Sequence, residues 1–134
     1  MLQSLIAISI GASIGAISRW LVGLWLNTFF AHLPLGTLLV NLVGGYFIGV
    51  ALALFAGHPQ WSPEWRLLIV TGFLGGLTTF STFSLEMAQL LQQEKWLWLF
   101  VGISSHVLGS IIMTLFGLWT VATNNHKKNG CGCL

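Results

Sequence analysis

Charged side chains are scarce in this chain. Lysine and arginine together contribute 5 of its 134 residues and aspartate and glutamate contribute 3, so 6% of the residues are charged, against roughly 25% in an average soluble domain. So few charges cannot cover the surface of a soluble domain of this length. The shortage excludes an ordinary water-exposed fold. The sequence also has no basic stripe, which argues against nucleic-acid binding.

Cysteine is also rare, with 2 residues in the chain. Cys131 and Cys133 both lie in a Gly-rich stretch at the end of the sequence, without the further ligands that a closed zinc site needs. We therefore expect a reduced tail, and metal binding there is the alternative. Patterns typical of a phosphate-binding loop or a catalytic triad are missing too, so we predict no enzyme activity.

Hydrophobic residues dominate what is present. They make up 55% of the chain, and the mean hydropathy is +0.85. A helix needs about 20 apolar residues to cross a hydrocarbon core of roughly 30 Å, and four segments offer that length: 2–26, 35–56, 63–91 and 96–123. We expect Ser62 to cap the third segment and Pro63 to occupy its first helical position. We predict an all-α integral membrane protein of four transmembrane helices, with a membrane domain at 1–125 and a polar tail at 126–134. The first segment is too long for the core of a signal peptide, so we expect it to be retained.

Two patterns bear on how these helices assemble. Glycines recur four residues apart at 11 and 15, at 45 and 49, and at 72 and 76, a spacing that permits close helix packing in lipid. Positive charges are nearly balanced between the two sides of the membrane that four spans would create, so the rule that places Lys and Arg in the cytoplasm gives little preference. Insertion in both orientations and an antiparallel homodimer is one hypothesis, and a parallel oligomer is the other.

The third hydrophobic segment contains the least helix-compatible stretch. Gly75-Gly76 is followed by Thr78-Thr79, with further hydroxyl residues up to Ser84. Glycine and β-branched threonine are poor residues for a helix interior, and unwinding here would free backbone carbonyls at membrane depth. Sodium is one cation that could bind such carbonyls. The alternative is a continuous helix whose hydroxyls donate to carbonyls one turn earlier.

Several other side chains are unusual for a lipid environment. Phe80 and Phe83 lie three residues apart and would share a helix face, where their positive ring edges could meet an anion; ordinary packing is the alternative. Asn41, with Thr37 one turn earlier, either donates to an anion or joins two helices. Arg19 and Glu86 either form an ion pair or serve separate roles, Arg19 at a pore entrance. His106 fits a contact between helices better than a proton relay.

These residues resemble the Fluc (CrcB) fluoride channels of bacteria. The resemblance is carried by the stretch from Gly72 to Ser84, by Gly-Ala-x-x-Gly-Ala-x-x-Arg ending at Arg19, and by Gly-Thr-Leu-Leu-Val-Asn ending at Asn41. It implies a passive, fluoride-selective channel in the bacterial inner membrane that lowers toxic cytoplasmic fluoride. It also implies an antiparallel, dual-topology homodimer with two pores and a third helix broken at mid-membrane.

The same resemblance assigns site residues. It implies a central structural sodium ion bound by the carbonyls of Gly75 and Thr78, and Arg19 at the pore vestibule. It also implies a fluoride pathway lined by Thr37, Asn41, Phe80, Ser81, Thr82, Phe83 and Ser110. Two other functions remain open: a proton-coupled exporter of cationic drugs that uses the Glu86 carboxylate, and a small structural subunit without a pore.

Overall fold

The computed structural model describes residues 1–28 and 34–130 of an all-helical protein. It has four helical segments long and apolar enough to cross a membrane: Leu2–Leu26, Leu35–Gly57, Pro63–Gln92 and Trp96–Asn124. These confirm the four predicted spans, each with its end within one residue of the predicted position. The first two are α1 (Leu2–Leu26) and α2 (Leu35–Gly57). The predicted features at Cys131 and Cys133 lie outside the described residues.

The third span is divided into four helical segments. It contains α3 (Pro63–Arg66), the π-helical segment π1 (Leu67–Leu74), α4 (Gly75–Leu77) and α5 (Phe80–Gln92). Between α4 and α5 the backbone is extended: Thr78 has ψ of 156° and Thr79 has φ of −151° and ψ of 122°. A Gly-Gly pair before two β-branched residues offers little resistance to this opening, because both residue types disfavour a helix interior.

The fourth span is the long helix α6 (Trp96–Gly130). It continues from the predicted membrane domain into the first residues of the predicted tail. Its main neighbour is α2, whereas π1 and α4 pack mainly on α1. The four spans therefore form two pairs, and α5 contacts both α2 and α6.

Glycines form the close contacts within both helix pairs. A Cβ added at Gly11 would meet the Leu68 carbonyl oxygen, and one at Gly76 would lie 2.6 Å from the Ala12 carbonyl oxygen. Between α2 and α6, a Cβ at Gly49 would meet the backbone of Thr114. The predicted close packing at the recurring glycines is confirmed, since each of these positions touches the backbone of another helix.

The start of the third span differs from one expectation. Ser62 was expected to cap the helix, but its hydroxyl makes no capping bond. It donates instead to the Glu64 carboxylate at 2.5 Å. The Ser62 hydroxyl bonds to the carboxylate rather than to a backbone N–H because charge-assisted hydrogen bonds are stronger than neutral ones. Pro63 occupies the first turn as expected.

Two apolar clusters lie on either side of the extended residues. One contains Val40, Ala51, Leu74 and Leu77, and the other contains Phe83, Met87, Leu90 and Leu99. The break therefore joins two separately packed regions of the chain.

Candidate functional site

The extended backbone of Thr79 is paired with a side chain of the second span. The Thr79 N–H donates to Asn41 Oδ1 at 2.8 Å, and Asn41 Nδ2 donates to the Thr79 carbonyl oxygen at 3.1 Å. Both backbone groups of a buried residue are satisfied in this way, which matters because an unpaired backbone group in lipid costs several kcal/mol. Asn41 thus holds the two parts of the third span in the observed conformation.

The pairing changes which carbonyls have partners. In a continuous helix the Thr79 N–H would donate to the Gly75 carbonyl, and here it donates to Asn41. The Thr82 N–H would likewise donate to the Thr78 carbonyl, and here it donates to Thr79 Oγ1 at 3.2 Å. The Gly75 and Thr78 carbonyls therefore lose their helical donors to side chains. The Gly76 and Leu77 carbonyls lose theirs as well, because Phe80 and Ser81 begin α5. Gly75 and Thr78 were predicted as the sodium ligands, and this stays a prediction.

The Thr79 side chain begins α5. Its Oγ1 accepts from the Thr82 N–H as an N-cap. It also donates to Thr82 Oγ1 at 3.0 Å and lies 3.3 Å from Ser81 Oγ. The predicted pore residues Ser81 and Thr82 are thus joined to one buried hydroxyl. Sequence reasoning did not select Thr79, although a threonine immediately before a helical pattern is a recognised N-cap signal.

Three aromatic rings contact one another beside the break. The centroids of Phe80 and Phe83 are 5.5 Å apart with an angle of 53° between the planes, and Phe83 and His106 are 4.7 Å apart. Phe83 is 7% exposed, whereas Phe80 is 78% exposed. The structure thus brings the two phenylalanines together, with one ring packed inside the chain and the other on its surface.

Asn41 has no free N–H donor in this arrangement. One hydrogen of its amide goes to the Thr79 carbonyl, and the other faces His106 Nδ1 at 3.1 Å. The alternatives for this residue were an anion donor and a bond between helices, and here it joins α2 to both the third span and α6. The role of His106 as its partner was not predicted, because residues 65 positions apart show no pairing pattern in one sequence.

Glu86 is bonded to a hydroxyl of α2. Thr37 Oγ1 donates to Glu86 Oε1 at 2.5 Å, while Glu86 Oε2 is buried without a hydrogen-bond partner in the described part of the chain. Arg19, one alternative partner, makes no ion pair with it among the described residues and instead lines a cavity. The interpretation of Arg19 and Glu86 as an ion pair is therefore wrong for the single chain.

Two cavities meet this polar region. The first, of about 590 Å³, lies at the end of α1 beside α2 and includes Arg19, Asn27, Thr37, Thr79 and Thr82 in its wall. The second, of about 350 Å³, has a wall that includes Asn41, Phe80, Phe83, His106 and Ser110. Thr79 belongs to both walls. Nine of the ten predicted site residues line one of the two cavities or contact the Thr79 hydroxyl. The tenth, Gly75, is exposed beside the break.

Beside the first cavity, a side-chain bond joins the end of α1 to the start of α2. Asn27 follows the last residue of α1, and its Oδ1 accepts from the Gly36 N–H at 2.8 Å. Gly36 must be small here, since a Cβ would lie 2.6 Å from Asn27 Oδ1 and 3.0 Å from Gly23 Cα. This contact fixes where α2 begins and thereby places Thr37 and Asn41 on one face, four residues apart.

Four apolar spans with a polar break and adjoining cavities define a small multi-pass membrane protein. The family model described as CrcB-like protein, Camphor Resistance (CrcB) matches residues 6–118. The chain therefore belongs to the CrcB family.

Relatives named "Fluoride-specific ion channel FluC" resemble the chain over almost its whole length. The protein of Tolumonas auensis is 60% identical over 122 residues, which cover 91% of this chain and 96% of the relative. That of Pseudomonas syringae pv. maculicola is 58% identical over 118 residues, covering 88% and 93%. That of Nitrosomonas europaea is 52% identical over 121 residues, covering 90% and 95%.

Proposed function

We propose that the protein is a fluoride-selective channel of the bacterial inner membrane that passively exports fluoride from the cytoplasm and so reduces fluoride toxicity. The active form is an antiparallel, dual-topology homodimer in which the third helix is broken at mid-membrane. The observation that carries this proposal is the juxtaposition of the broken span, the paired rings of Phe80 and Phe83 and hydroxyl groups at one cavity. The names of close relatives support the choice of fluoride.

The chemistry of the cavity suits a small anion. Fluoride must exchange water for other donors, and Ser110 lies in the same wall as the Phe80 and Phe83 rings. Aromatic rings carry positive charge at their edges, so the rings and hydroxyls together offer weak donors along one path. Arg19 in the neighbouring cavity supplies a positive potential that attracts anions to the entrance.

A structural sodium ion fits the carbonyls at the break. The helical donors for Gly75 and Thr78 are directed to Asn41 and Thr79, and freed carbonyls at broken membrane helices are suitable sodium ligands. Gly75 is exposed on the single chain, so a second copy can bring its own carbonyls to the same ion. When bound, sodium would neutralise the carbonyl dipoles and hold the two breaks together.

The homodimer would place protein against the exposed ring of Phe80. Phe80 is 78% exposed although it immediately follows the buried Thr79, and a pore-lining ring needs protein on its other side. A second copy placed against the break would cover Phe80 and complete the cavity wall. We therefore propose that residues of both copies line each fluoride path.

The test is anion efflux from liposomes that contain the purified protein, with the membrane potential set by an ionophore. We expect fluoride efflux without chloride efflux, and at least tenfold slower fluoride efflux in Phe80→Ile and Asn41→Ala. Phe100→Ile is the matched control, because Phe100 is a 64% exposed phenylalanine on α6; its efflux should stay at the wild-type rate. Folded protein without fluoride efflux would refute the proposal and favour the exporter that uses Glu86.

A further inference from the structure

The orientation of the Asn41 amide is fixed by the backbone it contacts. Its oxygen accepts from the Thr79 N–H and its nitrogen donates to the Thr79 carbonyl. A flipped amide would place two donors together and two acceptors together, so only the observed orientation satisfies both groups. The second hydrogen on Asn41 Nδ2 is therefore also fixed in direction, and it points to His106.

This direction determines the protonation of His106. Asn41 Nδ2 is a donor, so His106 Nδ1, 3.1 Å away, must be the acceptor. A neutral imidazole with an unprotonated Nδ1 carries its proton on Nε2. An imidazolium ring would place a second N–H against the amide hydrogen. The ring is only 4% exposed, and its contact with Phe83 at a centroid distance of 4.7 Å holds it in place.

We propose that His106 is a positioning residue of the fluoride path, which acts by holding the Asn41 amide against the break through Nδ1. The chain of contacts runs from α6 through His106 to Asn41 on α2 and then to the Thr79 backbone. Phe80 is the next residue after Thr79, so the position of the exposed ring depends on this chain. The proposal rests on the proposed function for its effect on fluoride flux.

Three substitutions at His106 test separately the roles of Nδ1, of Nε2 and of ring packing. His106→Asn places an amide oxygen near the position of Nδ1, His106→Gln reaches the position of Nε2, and His106→Phe keeps the ring against Phe83 without either nitrogen. We expect fluoride efflux to fall at least tenfold in His106→Phe and His106→Gln, and His106→Asn to conduct at least three times faster than His106→Phe. Size-exclusion chromatography in detergent identifies the variants that fold, and only those are compared.

Two flux results would overturn the proposal. The first is wild-type efflux in His106→Phe, and the second is a folded His106→Asn protein that conducts less than three times faster than His106→Phe. A generally structural role for the ring predicts that phenylalanine, the better packing substitute, is the milder change. The comparison of Asn with Phe therefore distinguishes a positioning hydrogen bond from simple packing.

A spectroscopic measurement tests the tautomer without any flux. Nitrogen NMR of protein labelled at histidine, with the His106 signals assigned by their loss in His106→Asn, should show a protonated Nε2 and an unprotonated Nδ1. A proton on Nδ1 would overturn the inference even if the wild type conducts fluoride. Absence of fluoride efflux from the wild type would refute the proposed function and leave the NMR result standing, so the two failures are distinguishable.

Discussion

The two halves of the third span are held by different kinds of contact. The first half, π1 with α4, packs on α1 at glycines whose missing side chains bring two backbones together. The second half, α5, is held by side chains: Thr37 donates to Glu86, and the Phe83 ring packs against His106. The Asn41 amide lies at the boundary between them.

The difference shows how one span can be both rigid and polar. Backbone contact through glycine leaves no room for a polar group or water, so it suits a purely structural interface in lipid. Side-chain hydrogen bonds leave cavities beside them, as the two cavities around Thr79 show. Substitutions at the glycine contacts of the first half should therefore lower stability most, whereas those at the side-chain contacts of the second half should lower it less and also alter the site.

The largest effect is expected at Gly15. A Cβ there would meet the Phe73 carbonyl oxygen and lie 2.8 Å from the Leu77 nitrogen, so Gly15→Ala must displace backbone. Because overpacking costs about 1–3 kcal/mol or more, we expect the free energy of unfolding in mixed micelles to fall by about 3 kcal/mol. Gly23→Ala is the control on the same helix, since its Cβ would meet only Asn27 Nδ2 at 3.6 Å. Equal losses in both variants would contradict the comparison.

The next effect is expected at the boundary between the halves. In Asn41→Ala the Thr79 N–H loses its acceptor, and an unsatisfied buried group costs about 1–3 kcal/mol. We expect amide hydrogen exchange at Thr79 to become at least tenfold faster. The Thr78 N–H, which donates to the Leu74 carbonyl at 3.0 Å, is the internal control and should change far less. Unchanged exchange at Thr79 would show that Asn41 does not hold the break.

A smaller effect is expected from the contact between Thr37 and Glu86. Thr37→Val removes the donor to a carboxylate that has another oxygen without a partner, so we expect a loss of about 1–2 kcal/mol in the free energy of unfolding. Glu86→Gln keeps an oxygen acceptor for Thr37 and should cost less. A double-mutant cycle measures the coupling, and a coupling of zero would mean that the bond contributes nothing.

The smallest effect is expected between α2 and α6, away from the break. Tyr46 Oη donates to Thr120 Oγ1 at 3.4 Å, which is long for a hydrogen bond between hydroxyls and therefore weak. Tyr46→Phe keeps the ring and should change the free energy of unfolding by less than about 0.5 kcal/mol. A loss comparable to that of Thr37→Val would mean that polar contacts matter equally throughout the protein.

Much of the fold could be predicted from the sequence because lipid imposes simple rules. Span length follows from membrane thickness, and the predicted ends at 56, 91 and 123 differ by one residue from those observed at Gly57, Gln92 and Asn124. The π-helical segment at Leu67–Leu74 could not be predicted, since hydrogen bonds between residues five apart leave no side-chain pattern. The antiparallel dimer stays a prediction.

The site was predictable as a set of residues but not as a set of contacts. Polar groups such as Asn41 and Glu86 stand out in an apolar span, so their sequence positions alone identify them. Their partners depend on which helices are neighbours, and this is why the Asn41 pairing with His106 and the Glu86 pairing with Thr37 were missed. The roles of Phe80, Ser110 and the carbonyls of Gly75 and Thr78 in ion binding stay predictions.

The Asn41 pairing has a consequence for the order of membrane assembly. A lone third helix with Thr78 and Thr79 extended would expose unpaired backbone groups to hydrocarbon, each at a cost of several kcal/mol. On insertion it should therefore remain continuous, and it should open only when α2 has docked and Asn41 replaces the lost helical bonds. The break would then be a late event in biogenesis, and a peptide of residues 63–92 alone in a bilayer should be helical across its whole length.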